Sequence, residues 1–403
     1  MCEVRATHPD EDVPDISTSA LIVFAAGHDA DLLVAGVPAA ARVVREARLA
    51  GIAACEVLAG PGWQPSAATR SETERLCGPM PVLFGNNAAR PLARVAVIRG
   101  DALPPAQAIA DAVAGRNEPV DGIEIASGHG IDEAIARAIA AGQDAVDRLQ
   151  VAGRNILRST AKPTDGIVSR YINRPVSQAL SSVALRFPGF RPVHATYGTA
   201  VIAIAMFACL LLGGEWGLIA GALLFQAASI FDGVDGEISR ATWRTSNEGA
   251  RMDSLIDAAT NLTFLLGTAL NLQMQGRIIG ASLGYTGLVL LAMGLFLIGR
   301  AAARSNAPFS FDLVKEHYRA KGAAKNRKQG SALEPMAGSD SAVDEKPSQI
   351  MQWLTFMTSR DFFALVFALL IAFGFATLVL ALFAIAAAGW LVAVILALVP
   401  KHA

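Results

Sequence analysis

Four aspartates stand at regular intervals in the middle of the chain. Asp232 and Asp235 are three residues apart, and Asp253 and Asp257 are four apart. At either spacing, two side chains of a helix lie on the same face. Carboxylate oxygens are the ligands that Mg²⁺ and Mn²⁺ prefer, and bound cations offset the repulsion between clustered carboxylates. Two such cations can hold a pyrophosphate and stabilise both the attacking and the leaving oxygen of a phosphoryl displacement.

The surroundings of these acids are apolar. The uncharged run Trp216–Phe231 precedes them, and the uncharged run 258–272 follows them. A charged side chain at the centre of a bilayer costs about 2.5–3.5 kcal/mol on insertion scales, so four of them need compensation. We therefore expect the aspartates at the ends of two antiparallel membrane helices, in a pocket that water reaches. A short connection between the helices would bring all four together.

Membrane helices are the elements that must position these residues. The chain has 403 residues, 53% of them hydrophobic, and apolar runs long enough to cross a bilayer recur along its second half. Six spans are predicted, at residues 196–213, 216–232, 253–272, 278–299, 362–379 and 381–399. Lys and Arg are frequent in every second connection, which places both termini and the aspartates on the cytoplasmic side. A multi-pass protein of the inner cell membrane is therefore expected.

The part of the chain before the first span is predicted to be a separate soluble domain. We expect a small cytoplasmic α/β domain at residues 1–160 and the membrane domain at 161–403. The first twenty residues carry five acids and no basic segment ahead of an apolar core, which is unlike a signal peptide. The four cysteines are scattered, which fits a reducing compartment.

Residues 165–186 are predicted to form an amphipathic helix on the membrane surface, with a buried helix of the soluble domain as the alternative. Its apolar residues recur at helical spacing: Val168, Ile172, Val176, Leu180 and Val183. Residues 320–349, rich in small and charged residues, are predicted to be a disordered linker. The basic segment 300–328 is expected either to bind anionic lipid or to be solvated.

The aspartate stretch resembles the signature of the CDP-alcohol phosphotransferase (phosphatidyltransferase) family, D-x2-D-G-x2-A-R-x8-G-x3-D-x3-D. The matching positions are Asp232, Asp235, Gly236, Ser239, Arg240, Gly249, Asp253 and Asp257. Every spacing agrees, and the one departure is Ser239, where the family has alanine. Pro192 and Thr196 resemble the P-N-x-x-T element before the first span, with Val193 in place of Asn. The resemblance implies a membrane all-α bundle of six transmembrane helices.

The resemblance also implies a role for each matching position. The four aspartates would ligate a two-metal centre of Mg²⁺ or Mn²⁺ that holds the pyrophosphate of the nucleotide. Asp257 would in addition be the catalytic base that takes the proton of the acceptor hydroxyl. Gly236, Ser239 and Gly249 would let the CDP approach the backbone, and Arg240 would supply positive charge near the phosphates or the carboxylates.

The reaction implied is transfer of a substituted phosphate from a CDP-alcohol donor to an alcohol acceptor with release of CMP, a step of phospholipid biosynthesis. The donor is either CDP-diacylglycerol or a soluble CDP-alcohol, and the acceptor stays open. The expected partners are these substrates, membrane lipids and a second copy in a homodimer, with no nucleic acid. Three other interpretations of the acids remain: a cation-coupled transporter, a scaffold that has lost activity, and a solvated loop.

The front of the chain resembles a sugar-phosphate nucleotidyltransferase that has lost catalytic residues. The segments Ala25–Gly27 and Val34–Pro38 match the opening of that family, and Asp101 follows a strand where the family has a metal-binding Asp. His28–Asp31 replaces the Gly-rich turn and its phosphate-binding Arg, so no nucleotidyltransferase activity is expected. The junction Lys162–Pro175 is similar to that of cytidylyltransferase fusions acting on inositol phosphate, which keeps a soluble CDP-inositol-like donor as the alternative.

Overall fold

The described part of the chain forms two compact units. A computed structural model describes residues 18–85, 94–116, 120–162, 165–305 and 360–398. The first unit extends to Ile156 and includes Leu185–Gly189. The second contains Leu157–Ala184 and the residues from Phe190 onward.

The first unit is built on a five-stranded sheet with helices on both faces. Its strands are β1 (Ser19–Phe24), β4 (Ala54–Ala59), β5 (Val82–Phe84), β6 (Val95–Arg99) and β7 (Ile123–Ala126), and β2 (Leu33–Val34) and β3 (Val37–Pro38) form a separate hairpin. Its helices are α1 (Gly27–Asp31), α2 (Ala39–Leu49), α3 (Ala67–Cys77), α4 (Ala106–Ala114) and α5 (Gly130–Ala140), followed by α6 (Ala145–Ser159). The strand order is β5-β4-β1-β6-β7, parallel except for β7. The α/β prediction is thus confirmed.

The apolar side chains of β1 alternate between the two faces of the sheet, and each face has its own apolar core. Ile22 and Phe24 point to the cluster that contains the apolar face of α2. Leu21 and Val23 point to the opposite face, where α5 contributes Ile131. Because successive strand residues face opposite sides, one apolar strand fills both cores.

The second unit is helical. After a π-helical turn at Ser169–Asn173 come α7 (Arg174–Ala184), α8 (Pro192–Leu211), α9 (Gly214–Thr242), α10 (Asn247–Met274), α11 (Ile278–Ser305), α12 (Arg360–Ala372) and α13 (Ala376–Leu398). Five of these, α8 to α11 and α13, are long and apolar enough to cross a membrane. Helix α12 is apolar but shorter, so five of the six predicted spans are matched by such helices. The predicted linker at 320–349, and the basic segment beyond residue 305, lie outside the described residues.

The helices that carry the aspartates are longer than predicted. Helix α9 continues to Thr242 instead of ending at residue 232, and α10 begins at Asn247 instead of residue 253. The predicted spans end where the apolar run meets its first charged residue, whereas the hydrogen bonds of a helix continue through polar residues. With 29 residues, α9 is about 43 Å long, which exceeds a hydrocarbon core of about 30 Å. One end of the helix can therefore extend into the headgroup layer or the water.

The break between the last two helices also differs from the prediction. It was expected near residue 380, but α12 ends at Ala372 and α13 begins at Ala376. Gly374 makes the turn with φ 85°, a conformation that side chains other than glycine rarely adopt. This break is hard to predict from the sequence, because Phe373 and Phe375 flank the glycine and keep the run apolar.

Helix α7 presents its apolar face outward. Val176 is 45% exposed and Val183 51%, whereas Ser177 and Ser181 are buried. This polarity suits a helix that faces lipid on one side and polar protein groups on the other. The structure has α7 at Arg174–Ala184, after the π-helical turn at Ser169–Asn173, within the range predicted for the amphipathic helix. The amphipathic helix over 165–186 and its place on a bilayer stay predictions.

A buried carboxylate joins α7 to α9. Glu237 is fully buried, and its Oε1 accepts hydrogen bonds from Ser177 Oγ (2.6 Å) and Arg174 Nη1 (2.9 Å). Its Oε2 accepts one from Ser181 Oγ at 2.6 Å. Arg174 also donates through Nε and Nη2 to Asp165, at 2.7 and 3.2 Å. Because a buried charge is stable only when paired and hydrogen-bonded, these contacts fix α7 in register with α9.

Replacing Glu237 with Ala should destabilise the membrane unit by about 3–5 kcal/mol, because Arg174 would lose a buried partner. Thermal unfolding in detergent and hydrogen exchange of residues 174–184 measure the effect, and faster exchange is expected there. Glu248→Ala, at an exposed position of α10, is the matched control and should change neither quantity. Unfolding of Glu237→Ala at the wild-type temperature would show that this network does not hold the helices together.

Candidate active site

Three of the predicted ligands converge on one point. Asp232 lies on α9, and Asp253 and Asp257 lie one turn apart on α10. One carboxylate oxygen from each lies within 4.8 Å of the others, and all three residues are half-buried. The four-residue spacing on α10 puts two of these groups on the face that meets α9. A cation can bind where the three groups meet.

Asp235 borders this cluster from α9. Its carboxyl group shares a hydrogen bond with Asp253 and accepts another from Thr196 Oγ1 of α8 at 3.1 Å. Two carboxyl groups this close need a proton or a cation between them. The four aspartates therefore fit a hard divalent cation by donor type and by proximity. Thr196, singled out in the sequence next to Pro192, holds one of the four acids.

Gly236 and Arg240 are neighbours on the next turn of α9. A methyl group on Gly236 would lie 3.0 Å from Nη1 of Arg240, so the missing side chain leaves room for the guanidinium. Arg240 Nε donates to the carbonyl oxygen of Thr160 at 2.8 Å. Arg240, whose positive charge is expected near the phosphates or the carboxylates, is thus held in part by a hydrogen bond to the backbone ahead of α7.

Ser239 and Gly249 lie at the two ends of the α9–α10 connection. Ser239 Oγ donates to the carbonyl oxygen of Arg244 at 3.2 Å. Ser246 caps α10, and its Oγ accepts a hydrogen bond from the amide of Gly249 at 3.0 Å. Both residues therefore take part in shaping the connection, and among the described residues no side-chain hydrogen bond joins them to the aspartates. Their role in nucleotide binding stays a prediction.

The network around Glu237 was missed by the sequence reasoning. Glu237 stands between the signature aspartates, but no function was assigned to it. A signal existed, because an acid entering a membrane needs a counter-charge and Arg174 lies on the polar face of the amphipathic helix. Ser177 and Ser181, one turn apart on that face, were the further donors.

One family profile matches part of the second unit. The profile of the CDP-alcohol phosphatidyltransferase family matches residues 192–321, which include the signature and α8 to α11.

Curated proteins named bifunctional IPC transferase and DIPP synthase are similar to this chain. The protein of Thermococcus kodakarensis is 29% identical over 174 residues, 43% of this chain and 38% of the relative. That of Aquifex aeolicus is 32% identical over 131 residues, 32% of this chain and 29% of the relative. That of Archaeoglobus fulgidus is 32% identical over 130 residues, 32% of this chain and 25% of the relative. The matches thus span 38% or less of the length of these relatives.

The family profile covers all four aspartates and the two helices on which they converge. The similar proteins carry the names of transferases and synthases. Residues 192–321 of this chain are thus identified as a CDP-alcohol phosphatidyltransferase domain by the family profile.

Proposed function

We propose that this protein transfers a substituted phosphate from a CDP-alcohol to the hydroxyl of an alcohol acceptor, with CMP as the leaving group. The observation that carries the proposal is the convergence of Asp232, Asp253 and Asp257 within 4.8 Å of one another, with Asp235 at their edge. These residues stand at the spacing of the family signature. The geometry supports a site for a pyrophosphate-bound divalent metal.

The four aspartates would ligate Mg²⁺ or Mn²⁺, and Asp257 would have a second role as base. When bound, the cations supply positive charge to the pyrophosphate and to the oxygens of the displacement. The acceptor oxygen attacks the phosphorus that carries the donor alcohol. The bond from that phosphorus to the CMP oxygen breaks, and CMP leaves with the electron pair. Asp257 takes the proton of the acceptor hydroxyl.

The nucleotide is assigned to the region that follows the aspartates on α9. Gly236 leaves space beside the guanidinium of Arg240, where phosphate oxygens can be hydrogen-bonded. Ser239 and Gly249 are small residues at the ends of the connection and would border the cytidine. The site would face the cytoplasm, since Arg240, Arg244 and Arg251 lie in and beside the connection between α9 and α10.

Two classes of donor are to be distinguished by experiment. CDP-diacylglycerol is the first, because helices α9 and α10 offer a bilayer-embedded site to a lipid donor. A soluble CDP-inositol-like donor with an inositol-phosphate-type acceptor is the second, favoured by the junction Lys162–Pro175 and by the names of the similar proteins. Purified protein with each donor, Mg²⁺ or Mn²⁺ and a panel of alcohols, followed by CMP release and identification of the product, distinguishes them. A cation-coupled transporter would release no CMP with any pair.

Asp235→Asn and Asp253→Asn should each lower the rate of CMP release at least about 100-fold, because the amide keeps the size but loses the charge that holds a cation. Membrane insertion should be unchanged. Glu248→Gln, an exposed acid of the same helical pair, is the control and should keep wild-type activity. Chelation of divalent metal should stop the wild-type reaction. Full activity in either aspartate variant would remove the proposed mechanism.

Asp257→Asn should impair chemistry more than donor binding. As the proposed base, this residue acts when the acceptor proton is removed, so kcat should fall while KM for the donor changes less. The acidic limb of the pH–rate profile, which reports ionisation of the base, should also disappear. Equal losses in donor affinity for Asp257→Asn and Asp253→Asn would assign Asp257 to the metal alone.

The soluble unit is proposed to have lost nucleotide chemistry. The segment that replaces the phosphate-binding turn forms α1 and ends in Asp31, which accepts hydrogen bonds from Trp63 Nε1, the amide of Ser66 and Thr69 Oγ1. Trp63 also covers Gly27, where a methyl group would lie 2.3 Å from Cδ1 of the indole. The turn is therefore packed against protein and held by a carboxylate that would repel phosphate.

Asp101 is engaged by two arginines. It is 4% exposed, and its Oδ2 accepts a hydrogen bond from Arg148 Nε at 2.5 Å. Its Oδ1 lies 3.1 Å from Arg99 Nε. Where the nucleotidyltransferase family has a metal ligand, this chain has a carboxylate already neutralised by side chains.

The full chain should therefore form no CDP-alcohol from CTP and an alcohol phosphate in the presence of Mg²⁺ or Mn²⁺. Release of pyrophosphate from CTP is the measurement, with an active cytidylyltransferase as the positive control. Pyrophosphate release that is lost in Asp101→Asn would show that the soluble unit is an active enzyme.

A further inference from the structure

A pocket of about 190 Å³ lies where α6 ends and α7 begins, in the second unit. Its walls carry four cationic side chains and one acidic one: Arg158, Lys162, Arg170, Arg174 and Asp165. Pockets for drug-sized molecules usually measure about 300–1,000 Å³, so this one is too small for a whole nucleotide. Its size and charge suit a small anionic group.

The pocket walls are fixed by hydrogen bonds. Gln178 Nε2 of α7 donates to the carbonyl oxygen of Leu157 on α6 at 3.3 Å. The amide of Lys162 donates to Asp165 Oδ2 at 3.0 Å, and the amide of Asp165 donates back to the carbonyl oxygen of Lys162 at 3.0 Å. Hydrogen bonds thus hold the end of α6 to α7, and Lys162 to Asp165, before any ligand binds.

Among the residues that the structure describes, Arg174 has carboxylate partners and the other three cations of the pocket have none. Arg174 is hydrogen-bonded to Asp165 and Glu237. Burial favours the neutral form of Asp165, but the hydrogen bonds and charge of Arg174 hold its pKa below the usual value, so the pair is ionised at neutral pH. Arg158, Lys162 and Arg170 are exposed.

The three exposed cations are available to a ligand. Within the described residues, the side chains of Arg158, Lys162 and Arg170 form no hydrogen bond and no salt bridge to a carboxylate within 4.0 Å. Two guanidinium groups and an ammonium group around a small cavity match the oxygens of a phosphate, which guanidinium groups bind with two parallel hydrogen bonds. Pro175 and Gln178 of α7 also line the pocket, and Tyr171, in the π-helical turn before α7, is 71% exposed.

We propose that this pocket binds a phosphoryl group through Arg158, Lys162 and Arg170. It shares no residue with the aspartate cluster, and the proposal does not depend on the transfer reaction. The phosphoryl group can belong to the headgroup of an anionic lipid, because α7 presents apolar residues as an interfacial helix does, or to a soluble phosphomonoester.

Binding to the full-length protein in detergent tests the proposal in two arms. The soluble arm measures inorganic phosphate and glycerol 3-phosphate by titration calorimetry. The lipid arm measures retention of phosphatidylglycerol against phosphatidylcholine by native mass spectrometry. The variant is the combined Arg158→Gln, Lys162→Gln and Arg170→Gln chain. Arg154→Gln, at an exposed arginine of α6 that does not line the pocket, is the matched control.

The wild type should bind in at least one arm, and the combined variant should bind at least about tenfold more weakly in that arm. The control should bind as the wild type does, and all three proteins should unfold at similar temperatures. Preference for phosphatidylglycerol without binding of the soluble phosphates assigns the site to a lipid headgroup, and the reverse assigns it to a soluble phosphomonoester. Absence of binding in both arms, unchanged binding in the combined variant, or an equal loss in Arg154→Gln would overturn the proposal.

Discussion

A carboxylate next to hydrocarbon is stable only if water, a cation or hydrogen-bond donors replace the hydration that it has lost. The helix pair α9–α10 carries five such groups in and around the signature: Asp232, Asp235, Glu237, Asp253 and Asp257. The aspartates face one another, where a shared divalent cation can neutralise them. Glu237 faces the other way and receives two hydroxyl groups and a guanidinium from α7. The buried serines of α7, with its apolar side chains exposed, meet this requirement for Glu237.

The aspartate cluster could be predicted because it depends on local periodicity. Asp253 and Asp257 share a helix face by their spacing alone, and a short connection brings that face to Asp232. The same periodicity predicted the apolar side of α7. The predicted ends of the helices were less accurate, because each predicted span ended at the first charged residue. The helix itself continues beyond that residue. At Gly374 a single residue ends a helix within a run that stays apolar.

Contacts between distant segments could not be predicted in this way. Ser177 and Glu237 are 60 positions apart, and periodicity tells which face each occupies but not which helix the face meets. The same holds in the first unit, where Arg148 reaches Asp101 across 47 positions. The strand before Asp101 could be predicted from the sequence, but the contact of Asp101 with the arginines depends on how α6 packs against the end of β6. The partners of a buried carboxylate are therefore harder to predict from sequence than the strand that carries it.

All four aspartates come from one helical hairpin, since only residues 243–246 separate α9 from α10. Such a hairpin can enter the bilayer as a single element during synthesis, and its ligands meet as soon as the two helices pair. Helices α11 to α13 are made later and are not needed to bring the four acids together. An acid cluster that is local in the chain takes its geometry from one pair of helices, whatever segment precedes that pair.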